Sequence, residues 1–223
     1  MIHLPRILSV VLFAAWRLSA ATYMVTIDTS SVSGTYGYVD LEFNPGNSTT
    51  QAATAGILNF EPAGMLDGTS IQTSGDFLGT LPGPLTAVND TAYNDYFEGL
   101  TFGSVLSFML TLSGPAISDP NGTSTAGTTF GVGFYDASQN SILTGDSSGF
   151  AAEVNINLDG STTPTVFDSA SGGPSVATIQ AVPEPASFGL VGGIAGIIFM
   201  RFRRRLPNRF TAVQLQRNGR RLG

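Results

Sequence analysis

From Thr22 onward, apolar and polar side chains alternate in short runs, the period of half-buried strands, and clusters of Gly, Pro, Asn, Asp and Ser separate the runs. No stretch before residue 182 sustains the period of an amphipathic helix. The pattern predicts strands over residues 23–29, 36–43, 52–60, 75–81, 96–102, 105–113, 128–136, 151–158, 163–167 and 175–182. In 105–113, Leu106, Phe108, Leu110 and Leu112 fall on one face, with Ser107, Thr111 and Ser113 on the other. In 151–158, Ala152, Val154, Ile156 and Leu158 alternate with Glu153, Asn155 and Asn157. Phe130, Val132 and Phe134 repeat the geometry with Gly131 and Gly133 between them. Glycine on that outer face marks either a bulge or bend, or a place where a neighbouring chain or ligand comes close.

Turn chemistry punctuates these runs: Asn44-Pro45-Gly46-Asn47, Pro82-Gly83-Pro84, Gly114-Pro115, Asp119-Pro120-Asn121-Gly122, Asp159-Gly160 and Gly172-Gly173-Pro174. Asp159-Gly160 is the best tight hairpin candidate, since both residue types tolerate positive φ. Some ten antiparallel strands in a single domain argue for an all-β fold, an antiparallel β-sandwich of jelly-roll type, with a closed barrel as the alternative.

The two ends differ from this middle. Residues 1–21 carry His3 and Arg6, then the apolar stretch 7–16, then small residues Ser19, Ala20 and Ala21, which is the layout of a secretory signal cleaved after Ala20 or Ala21. At the other end Val182-Pro183-Glu184-Pro185 stays extended, because proline lacks a backbone donor and disfavours helix in the residue before it. Residues 188–200 hold no charge and read as a single transmembrane helix, which at thirteen residues spans about 20 Å against a hydrocarbon core of about 30 Å. Arg201, Arg203, Arg204 and Arg205 follow, and a basic tail occupies 206–223. By the positive-inside rule this cluster stays in the cytoplasm and the β-domain lies outside.

The motif, helix and arginine cluster of 182–205 together resemble the PEP-CTERM sorting signal of Gram-negative bacteria. That resemblance implies export, an inner-membrane intermediate, cutting near Pro183-Glu184-Pro185 by an exosortase-type processing enzyme, and release or attachment at the cell surface. The tail 206–223 departs from the pattern, which usually ends soon after its arginines. The middle of the chain also resembles a PEP-CTERM family with no assigned activity, through residues 22–29, 37–46, 81–85 and Asn94-Asp95-Tyr96-Phe97. The organisation expected is thus a signal peptide (1–21), an acidic β-sandwich domain (22–181), a sorting signal (182–205) and a cytoplasmic tail (206–223).

Charge narrows the function of the middle. All ten basic residues are arginines lying outside 22–182, and that segment carries fifteen of the sixteen acidic residues. A domain this acidic, with no cation, repels phosphate backbones, so nucleic acid is not a partner. The chain has no Cys, and its only His is His3, in the signal. Thiol, Ser-His-Asp and lysine-based catalysis therefore lack their residues.

Carboxylate chemistry remains. Pairs such as Glu42 with Glu61, or Asp95 with Glu98, would serve glycoside hydrolysis at a suitable separation, against the plain reading of solvated strand-face residues. Asp90, Asp95 and Glu98, beside Asn89 and Asn94, form the best local cluster for a calcium ion, although the Asn and Asp residues equally cap turns. Tyr36, Tyr38, Tyr93, Tyr96, Phe97 and Tyr135 would stack on sugar rings or simply pack. Asn47, Asn89 and Asn121 each begin an Asn-x-Ser/Thr triplet. The sequence thus predicts an exported cell-surface or matrix protein, associated with exopolysaccharide or biofilm and without catalysis. A calcium-dependent carbohydrate-binding module and a carboxylate-only glycan hydrolase are the alternatives.

Overall fold

The computed structural model describes residues 20–183, which are all-β apart from a 3-10 turn at Ser30–Val32 and one helical turn, α1 (Pro115–Ser118). Two six-stranded sheets form, and every neighbouring pair within them is antiparallel. One sheet takes the order β12 (Ala177–Ala181), β1 (Ala21–Asp28), β8 (Val105–Ser113), β3 (Thr54–Glu61), β6 (Leu85–Val88), β5 (Phe77–Gly79). The other takes the order β11 (Thr162–Val166), β10 (Phe150–Ile156), β9 (Thr128–Asp136), β2 (Tyr36–Pro45), β7 (Asp95–Thr101), β4 (Met65–Ser74).

The alternation read from the chain sets which face is buried. Leu106, Phe108, Leu110 and Leu112 of β8 are all fully buried, and Phe130, Val132 and Phe134 of β9 face them from the second sheet. Phe108 meets Phe130 edge-on with ring centroids 6.1 Å apart, so the sheets pack face to face in a sandwich-like core. Asp159-Gly160 forms the expected hairpin between β10 and β11: Gly160 has φ of 81°, and Asp159 Oδ1 accepts from Ser161 N at 3.0 Å.

Two strands escaped the sequence pattern, β4 and β6, and the strand expected at 75–81 shrinks to the three residues of β5. β4 is an edge strand whose register shifts between Asp67 and Ile71, so its two faces do not keep one alternation along its length. β1 and β12 bring the ends of the domain together: Tyr23 lies opposite Ala181, and Val182 N donates to Thr22 O at 2.8 Å. The domain closes at Val182. Among the described residues no helix is long and apolar enough to cross a membrane. Residues 1–19 of the expected signal peptide lie outside the described residues, while its last residue, Ala21, opens β1. The expected transmembrane helix and basic tail also lie outside them, as do Glu184, Pro185, Arg201, Arg203, Arg204 and Arg205.

Gly37 shows how closely the central strands approach. A Cβ there would run into the Tyr135 carbonyl oxygen and stand 2.6 Å from the Phe102 ring. Gly37→Ala is expected to destabilise the domain by about 2–3 kcal/mol, because a carbonyl in a ladder cannot rotate aside as a side chain would. Urea unfolding of the variant measures it, and an unchanged midpoint would show that β2 and β9 can part without loss.

Candidate functional site

The outer face of the second sheet gathers most of the domain's unusual polar chemistry. Along β2 the outward positions are Tyr36, Tyr38, Asp40, Glu42 and Asn44, while Val39, Leu41 and Phe43 point into the core. Pairing sets Asp40 between Phe97 on β7 and Gly133 on β9, and sets Glu42 between Asp95 and Gly131. Tyr38 stacks on Phe97 with centroids 4.6 Å apart, Phe97 meets Tyr135 at 5.6 Å, and Tyr36 meets Tyr38 edge-on at 5.6 Å. Four of the six aromatics picked out in the sequence therefore form one continuous row. Tyr93 stands 53% exposed in the loop before β7. Tyr96 turns into the core instead, tilted against Phe77.

The glycines of β9 make room for this arrangement. The ring of Phe150 lies over Gly131, and a Cβ on Gly133 would come within 3.6 Å of Asp40 Cβ. The ladder between β10 and β9 shifts register between Phe150 and Ala152, beside the same glycines. Close approach and an irregular ladder, offered as alternatives by the sequence, occur together.

Asp40 is only 5% exposed although it points away from the core, and the Tyr135 ring crowds the same spot above Gly133. Burial above all, then a hydrogen bond to Asp95 and that neighbour's charge, push its carboxyl up to about 9. Asp95 is also raised by burial, but its hydrogen bond with Asp40 works the other way, so Asp40 keeps the proton and Asp95 accepts it. Oδ1 of each is buried and meets no hydrogen-bond partner among the described residues. Glu42 is raised by burial and by Asp95, and Asn44 Nδ2 donates to its Oε2 at 2.6 Å. Burial first, and the surrounding carboxylates next, lift Tyr93 and Tyr135 to about 12.

Thermal stability follows from these directions. A carboxyl raised in the folded state keeps its proton where the unfolded chain has lost it, so stability is full below the ordinary carboxylate range and drains away as pH rises toward 9. The exposed Asp28, Asp67, Asp136, Asp146 and Asp159 are held low by hydrogen bonds from nearby Ser, Thr or Asn residues and lose their share only below about pH 4. The melting temperature is expected to fall by about 5–10 °C between pH 5 and pH 8.5, and Asp40→Asn to flatten most of that slope. Melting curves at the two pH values check it; an equal slope in the variant would place the effect elsewhere.

The other residues singled out by the sequence do not converge. Asp95 and Glu98 are three apart on β7 and emerge on opposite faces, Glu98 being fully buried in the core. Asp90 lies exposed in the loop between β6 and β7. Among the described residues no three His, Cys, Asp or Glu side chains are placed to hold one metal ion. Glu42 and Glu61 stand on different sheets. Asn89 and Asn94 are turn clamps. Asn89 Oδ1 accepts from Ala53 N at 2.7 Å, and its Nδ2 donates to Gln51 O at 3.0 Å and to Thr128 Oγ1 at 2.6 Å. Asn94 Nδ2 donates to Phe43 O at 2.9 Å, and its Oδ1 accepts from Asp76 N at 2.8 Å.

Sequence reasoning passed over Asp40, the centre of the site. Its only local signal is an acidic residue among the aromatic outward positions of 36–43, and the pairing with Asp95 comes from strand order. No family model matches this chain, and no curated protein or solved structure matches it either.

Proposed function

We propose that the chain is an exported surface or matrix protein whose acidic β-domain binds exopolysaccharide through the outer face of its second sheet. The observation that carries this reading is the continuous row Tyr36, Tyr38, Phe97 and Tyr135 beside Asp40, Glu42 and Asp95. Aromatic faces suit the apolar faces of sugar rings, and carboxyls accept from their hydroxyls. Binding is favoured over hydrolysis because Asp40 and Asp95 act directly on each other's protonation, rather than standing apart as the separate acid and base that a glycosidase sets on two sides of a scissile bond.

Delivery by an exosortase-type system rests on Val182-Pro183-Glu184-Pro185, residues 188–200 and Arg201 to Arg205, with the β-domain outside the cytoplasm and the inner membrane as an intermediate station. We infer a winding of jelly-roll type from the order β1-β8-β3-β6 in one sheet and β2-β7-β4 in the other.

Pull-down on insoluble polysaccharides tests the binding. The wild-type chain is expected to be retained, and Tyr38→Ala with Phe97→Ala to lose about 2–3 kcal/mol of affinity, one stacking platform being removed. Retention equal in both would sink the assignment of the face. Intact mass of protein recovered from the host surface tests the sorting: a chain ending near residue 183, uncut when Pro183, Glu184 and Pro185 become Ala, is expected.

A further inference from the structure

The charge on this face is unanswered from within the domain. The groups around the Asp40 carboxyl are Tyr38 and Glu42 from β2, Asp95 and Phe97 from β7, Tyr135 and the bare backbone of Gly133 from β9, and Tyr93 from the preceding loop. From β10 come Phe150, over Gly131, and Glu153, opposite Gly131. None of these is a cation, and residues 22–182 contain no Lys, Arg or His at all. Asp40, 5% exposed, keeps an Oδ1 that no donor among the described residues meets.

Such an oxygen, on a sheet face that also carries the aromatic row, is what an ammonium group seeks. Carboxylates accept its three N–H donors in charge-assisted hydrogen bonds, and ring quadrupoles stabilise its charge. A neutral hydroxyl would meet the oxygens but leave the negative charge of Asp95 and Glu42 uncompensated. A phosphate or a uronic acid would be repelled.

Resting on the glycan-binding reading above, we propose that this face selects an amine-bearing polysaccharide, a polymer of de-N-acetylated hexosamine. The sugar ring lies on Tyr38, Phe97 and Tyr135, and its ammonium group meets Asp40, Asp95 and Glu42. Binding carries a proton balance. When the ammonium group arrives, it replaces the proton shared by Asp40 and Asp95 as the positive charge between them, and that proton leaves to solvent.

The test is calorimetric titration of the full chain in detergent with a glucosamine hexamer and, separately, with the N-acetylglucosamine hexamer, which has the same backbone without the charge. The amine-bearing hexamer is expected to bind about tenfold more tightly. Its heat should vary with the ionisation enthalpy of the buffer, as release of about one proton requires. Asp40→Asn and Asp95→Asn, near-isosteric changes whose folding circular dichroism checks, should abolish both the preference and the proton release. Glu42→Gln, at a half-buried outer position, should weaken the preference even if either Asp variant fails to fold. Glu61→Gln, on the other sheet, should keep it. Equal affinity for the two hexamers overturns the amine preference and leaves glycan binding standing. A preference surviving in Asp95→Asn and Glu42→Gln would assign it to the diffuse acidic field and overturn the site. No binding to either hexamer or to any polysaccharide is the failure of the glycan reading itself.

Discussion

Phe108→Ala is expected to remove about 3–5 kcal/mol of folding stability and to lower the melting temperature by roughly 10–15 °C. Phe108 is fully buried at the middle of β8, stacked near Phe60 at 5.9 Å within its own sheet and edge-on to Phe130 at 6.1 Å across the sandwich. It joins the two layers at their centre, where neither sheet can move inward without breaking its own ladder. Truncation therefore leaves a cavity that the backbone cannot close, in addition to the lost transfer energy of the ring. Phe108→Leu, which keeps most of the volume, should cost less than half as much. Denaturant unfolding of the two variants decides; similar losses would mean that ring geometry, rather than volume, matters at this position.

Tyr96→Phe is expected to cost about 2–4 kcal/mol even though it removes a single oxygen. Tyr96 Oη donates to Glu98 Oε2 at 2.6 Å and accepts from Leu81 N at 3.1 Å, all in the interior. Its loss strands a backbone donor and a carboxyl that already has one oxygen, Oε1, without a partner among the described residues. Burial raises the Glu98 carboxyl, so it enters the core more readily neutral than charged. Glu98→Gln preserves that neutral state, and in the Tyr96→Phe background it should make little further difference. A double-mutant cycle measures the coupling, and a Tyr96→Phe loss below about 1 kcal/mol would show that water reaches Glu98.

The sandwich-like all-β class was legible because the large apolar residues of its central strands recur with a period of two. β8, β9 and β10 each bury one face against the other sheet, so burial writes the alternation directly into the residues. β4 was invisible for the opposite reason: an edge strand exposed along most of its length, with a register shift at Asp67, has no buried face to impose a pattern. β6 is four residues long and directly follows Pro82-Gly83-Pro84, which reads as turn. The aromatic half of the site was legible as residue types, since Tyr36, Tyr38, Phe97 and Tyr135 stand out in a small domain. Its acidic centre was not, because Asp40 and Asp95 are neighbours only through the pairing of β2 with β7, a long-range choice no local pattern encodes. Glu98 did leave a trace, as the one charged residue in the otherwise apolar series Tyr96, Leu100 and Phe102.

The hydrogen bond from Val182 N to Thr22 O, beside the pairing of Tyr23 with Ala181, has a consequence for how the domain can be handled. Its first and last residues lie one strand spacing apart, about 4.8 Å. A covalent chain can thus run into the domain and out again with almost no displacement. The domain is a cassette: spliced into a surface loop of a carrier protein, it would leave the two flanks of that loop nearly where they were. For the same reason the fold is defined by the cyclic succession of its strands, and closing Val182 onto Thr22 would let the chain be reopened in an exposed loop such as that around Gly122.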